Sequence, residues 1–194
     1  MVRRIQKSSH ANRGSALEDL VYISCIQYYN AKLLRIDKFP VPVKILQTNN
    51  CKSFDDSQTI KSKTQVIGYL EGKSTVDYIG AIKGGRSICF DAKETNQDNI
   101  FPLKNIHAHQ VDYMKDISEL GGIAFLIVCF SKIDRYFRMD YKFLRTVWDN
   151  WVLHPHTKGF ASVTLSDMEK YCFEIKPSYS FSLNFLDGLI PVNL

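Results

Sequence analysis

The sequence predicts an α/β fold, a mixed central sheet flanked by helices, and three observations carry that expectation. Ile123 to Phe130 is an unbroken apolar run of strand length, the pattern of a strand buried on both faces. Before it lies a segment of helical period that starts at Phe101-Pro102 and ends at Gly121-Gly122, with Ile106, Gln110, Tyr113, Met114 and Ile117 on one face. Earlier still, Thr75-Val76-Asp77 and Phe90-Asp91-Ala92-Lys93 read as neighbouring strands, with the Gly80 to Gly85 segment as their turn and Gly84-Gly85 at its tip. Strand, helix, strand in that order favours a mixed sheet with the helix packed on one face.

Size and composition bound the rest. A chain of 194 residues, 45% hydrophobic and 23% charged, has the make-up of a soluble globular protein with one substantial core. Its net charge of +5 permits a nucleic-acid partner without requiring one. The five cysteines, Cys25, Cys51, Cys89, Cys129 and Cys172, are scattered and form no Cys-x-x-Cys pair. They read as reduced thiols of a cytoplasmic protein and imply neither a zinc site nor a disulfide framework. The N-terminal arginines are followed by no apolar stretch, so no secretory signal is expected. The longest apolar run is far too short to cross a bilayer, and a soluble, intracellular protein without a membrane partner is expected.

Taken in order, residues 1–13 read as a flexible basic arm holding Arg3, Arg4, Lys7 and Arg13 with no acid. A helix is expected from Ser15, with Leu17, Leu20, Val21, Cys25 and Tyr28 near helical spacing and Ser15-Ala-Leu-Glu18 matching a capping box. Glu18 therefore has a local role open to it as a cap. Phe39-Pro-Val-Pro-Val43 reads as an extended edge segment. Residues 44–73 form a polar excursion with Lys44, Lys52, Lys61, Lys63 and Lys73, in which Thr64 to Leu70 can form one arm of a hairpin. A stretch that long is a functional loop or a tolerated surface insertion. After the long apolar strand, Asp134 to Met139 is a further strand candidate and Tyr141 to Trp151 an amphipathic helix. The aromatic residues of that helix suit core packing better than base stacking. His107 and His109, two apart on a predicted helix, point different ways and suggest no metal pair; nor does His154-Pro-His156, which reads as a loop. Thr164 to Tyr171 reads as a short capped helix with Asp167 and Glu169, and the C-terminal tail is uninformative.

Candidate chemistry sits on the two short strands. Side chains alternate along a strand, so Asp91 and Lys93 share one face while Ile88, Phe90 and Ala92 share the other; Thr75 and Asp77 share a face by the same rule. Two carboxylates and an ammonium at one point suit a Mg²⁺-dependent phosphodiesterase. A hairpin ion pair of no function is the plain alternative. Gln110 is a polar residue within an apolar stripe, either a buried amide satisfied by backbone or a site residue facing the strands.

Several segments together resemble one family. The order Asn12-Arg-Gly14 with Leu17-Glu18, Ser74-Thr-Val-Asp77-Tyr78, Phe90-Asp-Ala-Lys-Glu-Thr95, Phe101-Pro-Leu-Lys-Asn105, His109-Gln110, Met114-Lys115 and Gly121-Gly122 is similar to that of the RecU Holliday-junction resolvases. The resemblance implies the PD-(D/E)xK nuclease core, a restriction-endonuclease-like mixed sheet flanked by helices, over residues 14–194 as one domain. It implies that residues 44–73 are a stalk that enters the centre of a four-way DNA junction. Carried onto matching positions, Thr75, Asp77, Asp91 and Gln110 become a Mg²⁺ site that also accepts Mn²⁺. Lys93 becomes the transition-state stabiliser, and Glu18 an acidic residue aimed at the site. Arg13, Lys61, Lys63, Lys73 and Lys104 become DNA contacts. A homodimer acting in recombination and repair is implied, giving 5′-phosphate ends, with recombinase and branch-migration proteins as partners. In one place the chain departs from the RecU pattern, which has a glutamate where this sequence has Asp91. Asp is one methylene shorter, so an ion would sit closer to that strand. Two other functions remain open at this level: a nuclease acting on another branched or duplex DNA, and a junction-binding recombination modulator with little catalysis.

Overall fold

A computed structural model describes residues 13–39, 43–54, 60–70, 75–155 and 157–190. The arm at residues 1–12, Lys73 and His156 lie outside the described residues, as do the side chains of Arg13, Lys61 and Lys63. The chain divides into two compact units, Met1–Phe39 with Thr75–Leu194, and Pro40–Ser74.

In the larger unit the elements run α1 (Arg13–Asn30), β1 (Leu34–Lys38), then, after the smaller unit, β4 (Tyr78–Ile82), β5 (Ser87–Thr95) and β6 (Ile100–Pro102). They continue as a 3-10 turn at Leu103–Asn105, α2 (Ala108–Glu119), β7 (Ile123–Phe130), β8 (Arg135–Asp140), α3 (Tyr141–Leu153), β9 (Ser162–Thr164), α4 (Leu165–Tyr171) and β10 (Phe173–Ile175). The smaller unit holds β2 (Val43–Phe54) and β3 (Ile60–Leu70), paired antiparallel with one irregularity between Ile45 and Gln47.

The central sheet has six strands in the order β1-β4-β5-β7-β8-β10. Every neighbouring pair is antiparallel except β5 and β7, which run parallel with α2 in the crossover between them. This is the mixed sheet flanked by helices that the sequence predicts. All eight residues of β7 are buried because both faces of the sheet are covered. Ile123, Phe125, Ile127 and Cys129 enter a core built with α1. Ala124, Leu126, Val128 and Phe130 enter a second core built with α2 and α3.

The α1 core is closed by the C-terminal segment, which the sequence leaves uninformative. Phe181, Leu183, Phe185 and Leu186 are all buried there. Ser24 Oγ accepts from the Leu183 N–H at 2.9 Å, and the Tyr28 hydroxyl accepts from the Leu186 N–H at 3.1 Å. Buried Arg138 donates through Nη1 to the carbonyls of Phe185 and Asp187, both at 2.8 Å, and so satisfies main-chain acceptors of a segment without regular partners.

Several local expectations change. The first helix begins at Arg13, two residues ahead of the expected start at Ser15, whose side chain lies outside the described residues. Thr75–Asp77 is an irregular entry to β4 and not a strand. The turn between β4 and β5 is confined to residues near Gly84 and Gly85, whose φ values of +96° and +83° suit glycine. Gly80 belongs to β4 instead, where a Cβ would lie 1.9 Å from the Arg35 carbonyl oxygen of β1. Phe101-Pro102 ends β6, because that stretch pairs with β9 (Phe101 opposite Val163), and the helix starts six residues later at Ala108. His107 is consequently the residue before the helix, and its ring stacks on His109 with centroids 5.5 Å apart. The capped helix at Thr164 forms as expected, with Asp167 and Thr164 bonded reciprocally.

Candidate active site

β5 positions the site. Its alternation is as the sequence reads: Ile88, Phe90 and Ala92 face the α1 core, so Asp91 and Lys93 face α2. Tyr78 of β4 lies opposite Phe90, their rings stacked 4.7 Å apart, and Phe90 stacks in turn on Phe125 at 5.0 Å. This sealed aromatic column fixes the rotation of β5 about its axis and so fixes where Asp91 points.

Asp91 is wholly buried. Its Oδ2 accepts a hydrogen bond from Gln110 Nε2. Its Oδ1 lies 3.1 Å from Lys93 Nζ, an ion pair in distance. Beside that ion pair, Oδ1 is a buried acceptor with no further hydrogen-bond partner among the described residues. Burial drives the Asp91 carboxyl above the ordinary carboxylate range; Lys93 opposes that rise, and the nearby Asp77 carboxylate adds to it. A buried carboxylate left one acceptor short is costly on structural grounds alone, and a cation would relieve it.

Gln110 is held from the other side by its own helix. Its Oε1 accepts from the His107 N–H at 3.1 Å, the reciprocal half of a capping box with His107 as N-cap. The amide therefore presents its nitrogen to Asp91. Asp77 is partly buried and immediately precedes β4; continuing the β4–β5 register past Tyr78 and Phe90 sets it beside Asp91. The Asp77 carbonyl accepts from the Phe39 N–H at 2.8 Å, which ties this entry segment to the end of β1. Thr75 is exposed, and its Oγ1 donates to the Val76 carbonyl at 3.2 Å.

Glu18 stands apart from this cluster. Its carboxylate pairs with Lys38 Nζ at 2.5 Å, both side chains being about half exposed (52% and 48%). Lys38 lies opposite Tyr78 in the β1–β4 register, with its ammonium 5.8 Å from the Tyr78 ring centroid. Burial, then Glu18, Cys25, Asp77 and Asp91 all push the Tyr78 hydroxyl upward, so that one phenol lies within the field of all three acids. Sequence reasoning misses Lys38 and Tyr78 as members of this neighbourhood; the Asp77-Tyr78 step in the motif is the signal that points to the second. Lys104 is exposed in the 3-10 turn ahead of α2.

Among the described residues no group of three or more His, Cys, Asp or Glu side chains is arranged to hold a metal. The oxygen set is instead Asp77 and Asp91. That set fits a hard cation that keeps several waters, as Mg²⁺ does, and fits zinc poorly. The described cysteines do not compete: Cys25, Cys89, Cys129 and Cys172 are free, and burial pushes each thiol up to about 12. A groove of about 360 Å³ between α1 and β1 includes Lys38 and Tyr78 but not Asp91. A polymer phosphate needs an open approach and not a closed pocket.

A mixed sheet whose middle strand carries Asp-x-Lys toward a covering helix defines the class: a restriction-endonuclease-like α/β core. Comparison with known proteins narrows this. Residues 12–190 match the family model for RecU, recombination protein U, and the chain belongs to that family. It is 31% identical over 186 residues to the Holliday junction resolvase RecU of Lactobacillus delbrueckii subsp. bulgaricus, covering 95% of this chain and 82% of that relative. It is 33% identical over 183 residues to the protein of the same name from Ligilactobacillus salivarius, covering 94% and 80%. The match to the Pediococcus pentosaceus protein is 33% over 168 residues, 86% of this chain and 77% of the relative.

Proposed function

We propose that this chain is a Mg²⁺-dependent, structure-specific endonuclease that resolves four-way DNA junctions by paired nicks, acting as a cytoplasmic homodimer in recombination and repair. The observation that carries the reading is the wholly buried Asp91, ion-paired to Lys93 through one oxygen and hydrogen-bonded to Gln110 through the other. The names of the relatives, Holliday junction resolvases, supply the substrate class. No helix among the described residues is long and apolar enough to cross a membrane, in keeping with a DNA-processing role.

Asp77 and Asp91 would hold the ion, with Thr75 contributing directly or through water and Gln110 acting through the Asp91 carboxylate that its amide nitrogen holds; Mn²⁺ suits the same oxygen set. When bound, Mg²⁺ supplies Lewis acidity toward a phosphate and lowers the pKa of water. The rest falls to the chain. Gln110 fixes the Asp91 carboxylate by one hydrogen bond and is itself fixed by the His107 N–H, so the carboxylate cannot swing. Lys93 Nζ, only 18% exposed at its side chain, sets a positive charge where charge accumulates on the phosphoryl oxygens as water attacks. The bond to O3′ breaks, leaving a 5′-phosphate and a 3′-hydroxyl. Glu18 is a further acid at the margin of this site. Arg13, Lys61, Lys63, Lys73 and Lys104 would meet backbone phosphates, with the Pro40–Ser74 unit as the stalk entering the junction. Two sites in a homodimer suit symmetric nicks in opposed strands. Recombinase and branch-migration proteins are the expected protein partners.

Cleavage of a mobile four-way junction, compared with a duplex of equal sequence, tests the reading. Wild type should cut the junction only with Mg²⁺ or Mn²⁺. Lys93→Ala and Asp77→Ala should bind it with near-normal affinity and cut at least about a hundredfold more slowly, the loss typical when one preorganised charge-stabilising group is removed. Normal cutting by either variant defeats the site. Tight binding without cutting by the wild type makes the chain a junction-binding modulator, and cutting of the duplex alone moves the substrate.

A further inference from the structure

We propose that the cleft between α3, the approach to β9 and α4 is a subsite for one unpaired base of the DNA, adenine for preference. This rests on the nuclease reading above and deepens it by giving the substrate a second contact, read by base chemistry.

Three segments converge on a cleft of about 500 Å³. Phe143, Val147 and Asn150 lie on one face of α3, spaced four and then three residues apart. Phe160 comes from the approach to β9, and Tyr171 from the end of α4. The lining is aromatic. Phe143 and Tyr171 stack with centroids 5.1 Å apart, and Phe160 lies against the His154 ring at 5.2 Å. These rings are not sealed into the core: Tyr171 is 54% exposed, and Phe143 and Phe160 are half buried. Of α3, only Leu144 is fully buried.

Polar chemistry selects the occupant. Asn150 is half buried in the cleft, and its side-chain amide has no hydrogen bond among the described residues. Such an amide offers a donor beside an acceptor, the pattern that pairs with N6 and N7 of adenine. An amide among open rings is a common way of holding a single-stranded base. Charge around the cleft agrees. Asp149 and Glu169 are paired to Arg145 and Arg135, and Asp167 is bonded to Thr164. Lys142, Lys158 and Lys170 form no ion pair among the described residues, and the Lys170 ammonium lies 4.8 Å from the Tyr171 ring centroid. Free positive charge beside open rings suits a nucleotide, phosphate and base together, better than an apolar peptide side chain.

Main-chain bonds tie the cleft to the catalytic helix. Pro102 pairs with Ser162, and the Leu103 N–H donates to the Ala161 carbonyl at 2.9 Å. From Leu103 the chain passes exposed Lys104 and enters α2, which carries Gln110.

Metal-free anisotropy titrations of the full chain test it, with labelled oligodeoxyadenylate, oligodeoxythymidylate and an abasic strand of equal length. Wild type should bind adenylate about tenfold tighter than the abasic strand, within the range one stacked base supplies. Asn150→Ala should lower adenylate to the thymidylate affinity. Tyr171→Ala, a change at an exposed ring, should bring both to within about threefold of the abasic strand, and Tyr171→Phe should behave as wild type. Lys158→Ala should weaken all three strands alike. Equal affinity of wild type for the three strands overturns the subsite. So does a base preference that Asn150→Ala and Tyr171→Ala leave intact. Junction cutting by wild type, measured alongside, separates the two readings. Cutting without base preference keeps the nuclease and removes the subsite; base preference without cutting does the reverse.

Discussion

The two faces of β5 are built from the same nine residues and do opposite work. On one face Phe90 is wholly buried within a stack of rings running from Tyr78 to Phe125, with Phe185 tilted against it at 5.3 Å. That face is apolar and closed by rings, and in this sense it is finished. On the other face Asp91 is equally buried but unfinished: beyond its ion pair with Lys93, one oxygen has no hydrogen-bond partner among the described residues, and burial raises its carboxyl against the pull of Lys93. Burial stabilises the first face and strains the second. The finished face is what allows the unfinished one to be held in a single geometry.

Two substitutions one residue apart should separate these roles. Phe90→Ala removes a central ring from a packed column and should cost about 3–5 kcal/mol of stability, with cleavage lost only in proportion to the unfolded fraction. Asp91→Asn should do the reverse. An amide can still accept from Gln110 and carries no charge to desolvate, so the metal-free protein should melt higher at neutral pH, by roughly 2–4 °C for about 1 kcal/mol in a chain of this size. The rise in melting temperature on adding Mg²⁺ should vanish with cleavage. Thermal melts with and without Mg²⁺ read both effects. If Asp91→Asn melts lower than wild type, the view of this face as strained is wrong.

The finished face was the more legible in sequence, for a physical reason. Period-two alternation and an unbroken apolar run are local signals, and they placed β5, β7 and the orientation of Asp91 and Lys93 correctly. Signals that depend on distant partners were misread. Phe101-Pro102 looked like a helix start because its partner strand, beginning at Ser162, lies far along the chain. The C-terminal segment is uninformative in sequence because nothing local says that α1 supplies Ser24 and Tyr28 to satisfy its backbone. Glu18 had a local explanation in Ser15, whereas its partner is Lys38, twenty residues on. Gln110 was legible as a polar residue in an apolar stripe. Which of its two ends meets Asp91 depends on His107 standing just outside the helix, and that followed only from the true helix start.

The raised Asp91 carboxyl makes the comparison pH-dependent. A carboxyl held above its unfolded value favours the folded protein most when protonated. Its contribution is full below the unfolded pKa and is lost as pH rises through the folded one. Metal-free wild type should therefore lose an increment of stability as pH climbs out of the ordinary carboxylate range, and Asp91→Asn should not. Mg²⁺ must displace the same proton, so the melting shift it produces should grow with pH over that window and flatten above it. Melting temperatures measured against pH, with and without Mg²⁺, give both curves. A Mg²⁺ shift of constant size across the window would mean that Asp91 is ionised throughout.

The smallest effect concerns Glu18, which belongs to neither face. Its pair with Lys38 is about half exposed on both sides, so solvent screening leaves it within about 1 kcal/mol of no net stability. Lys38→Ala and Glu18→Gln should each shift melting by no more than roughly 2–4 °C. Cleavage discriminates where stability does not. The Glu18 carboxylate reaches Tyr78 with its field, as Asp77 and Asp91 do, and a role for it in cleavage is the proposal to be tested. Glu18→Gln should then slow cutting about tenfold or more, at the low end for a positioned acid or base, with junction binding unchanged. Lys38→Ala frees that carboxylate without removing it, and should alter the Mg²⁺ concentration needed for half-maximal cutting more than the maximal rate. Equal cutting by Glu18→Gln and wild type would leave Glu18 a surface ion pair and reduce the acidic set to Asp77 and Asp91.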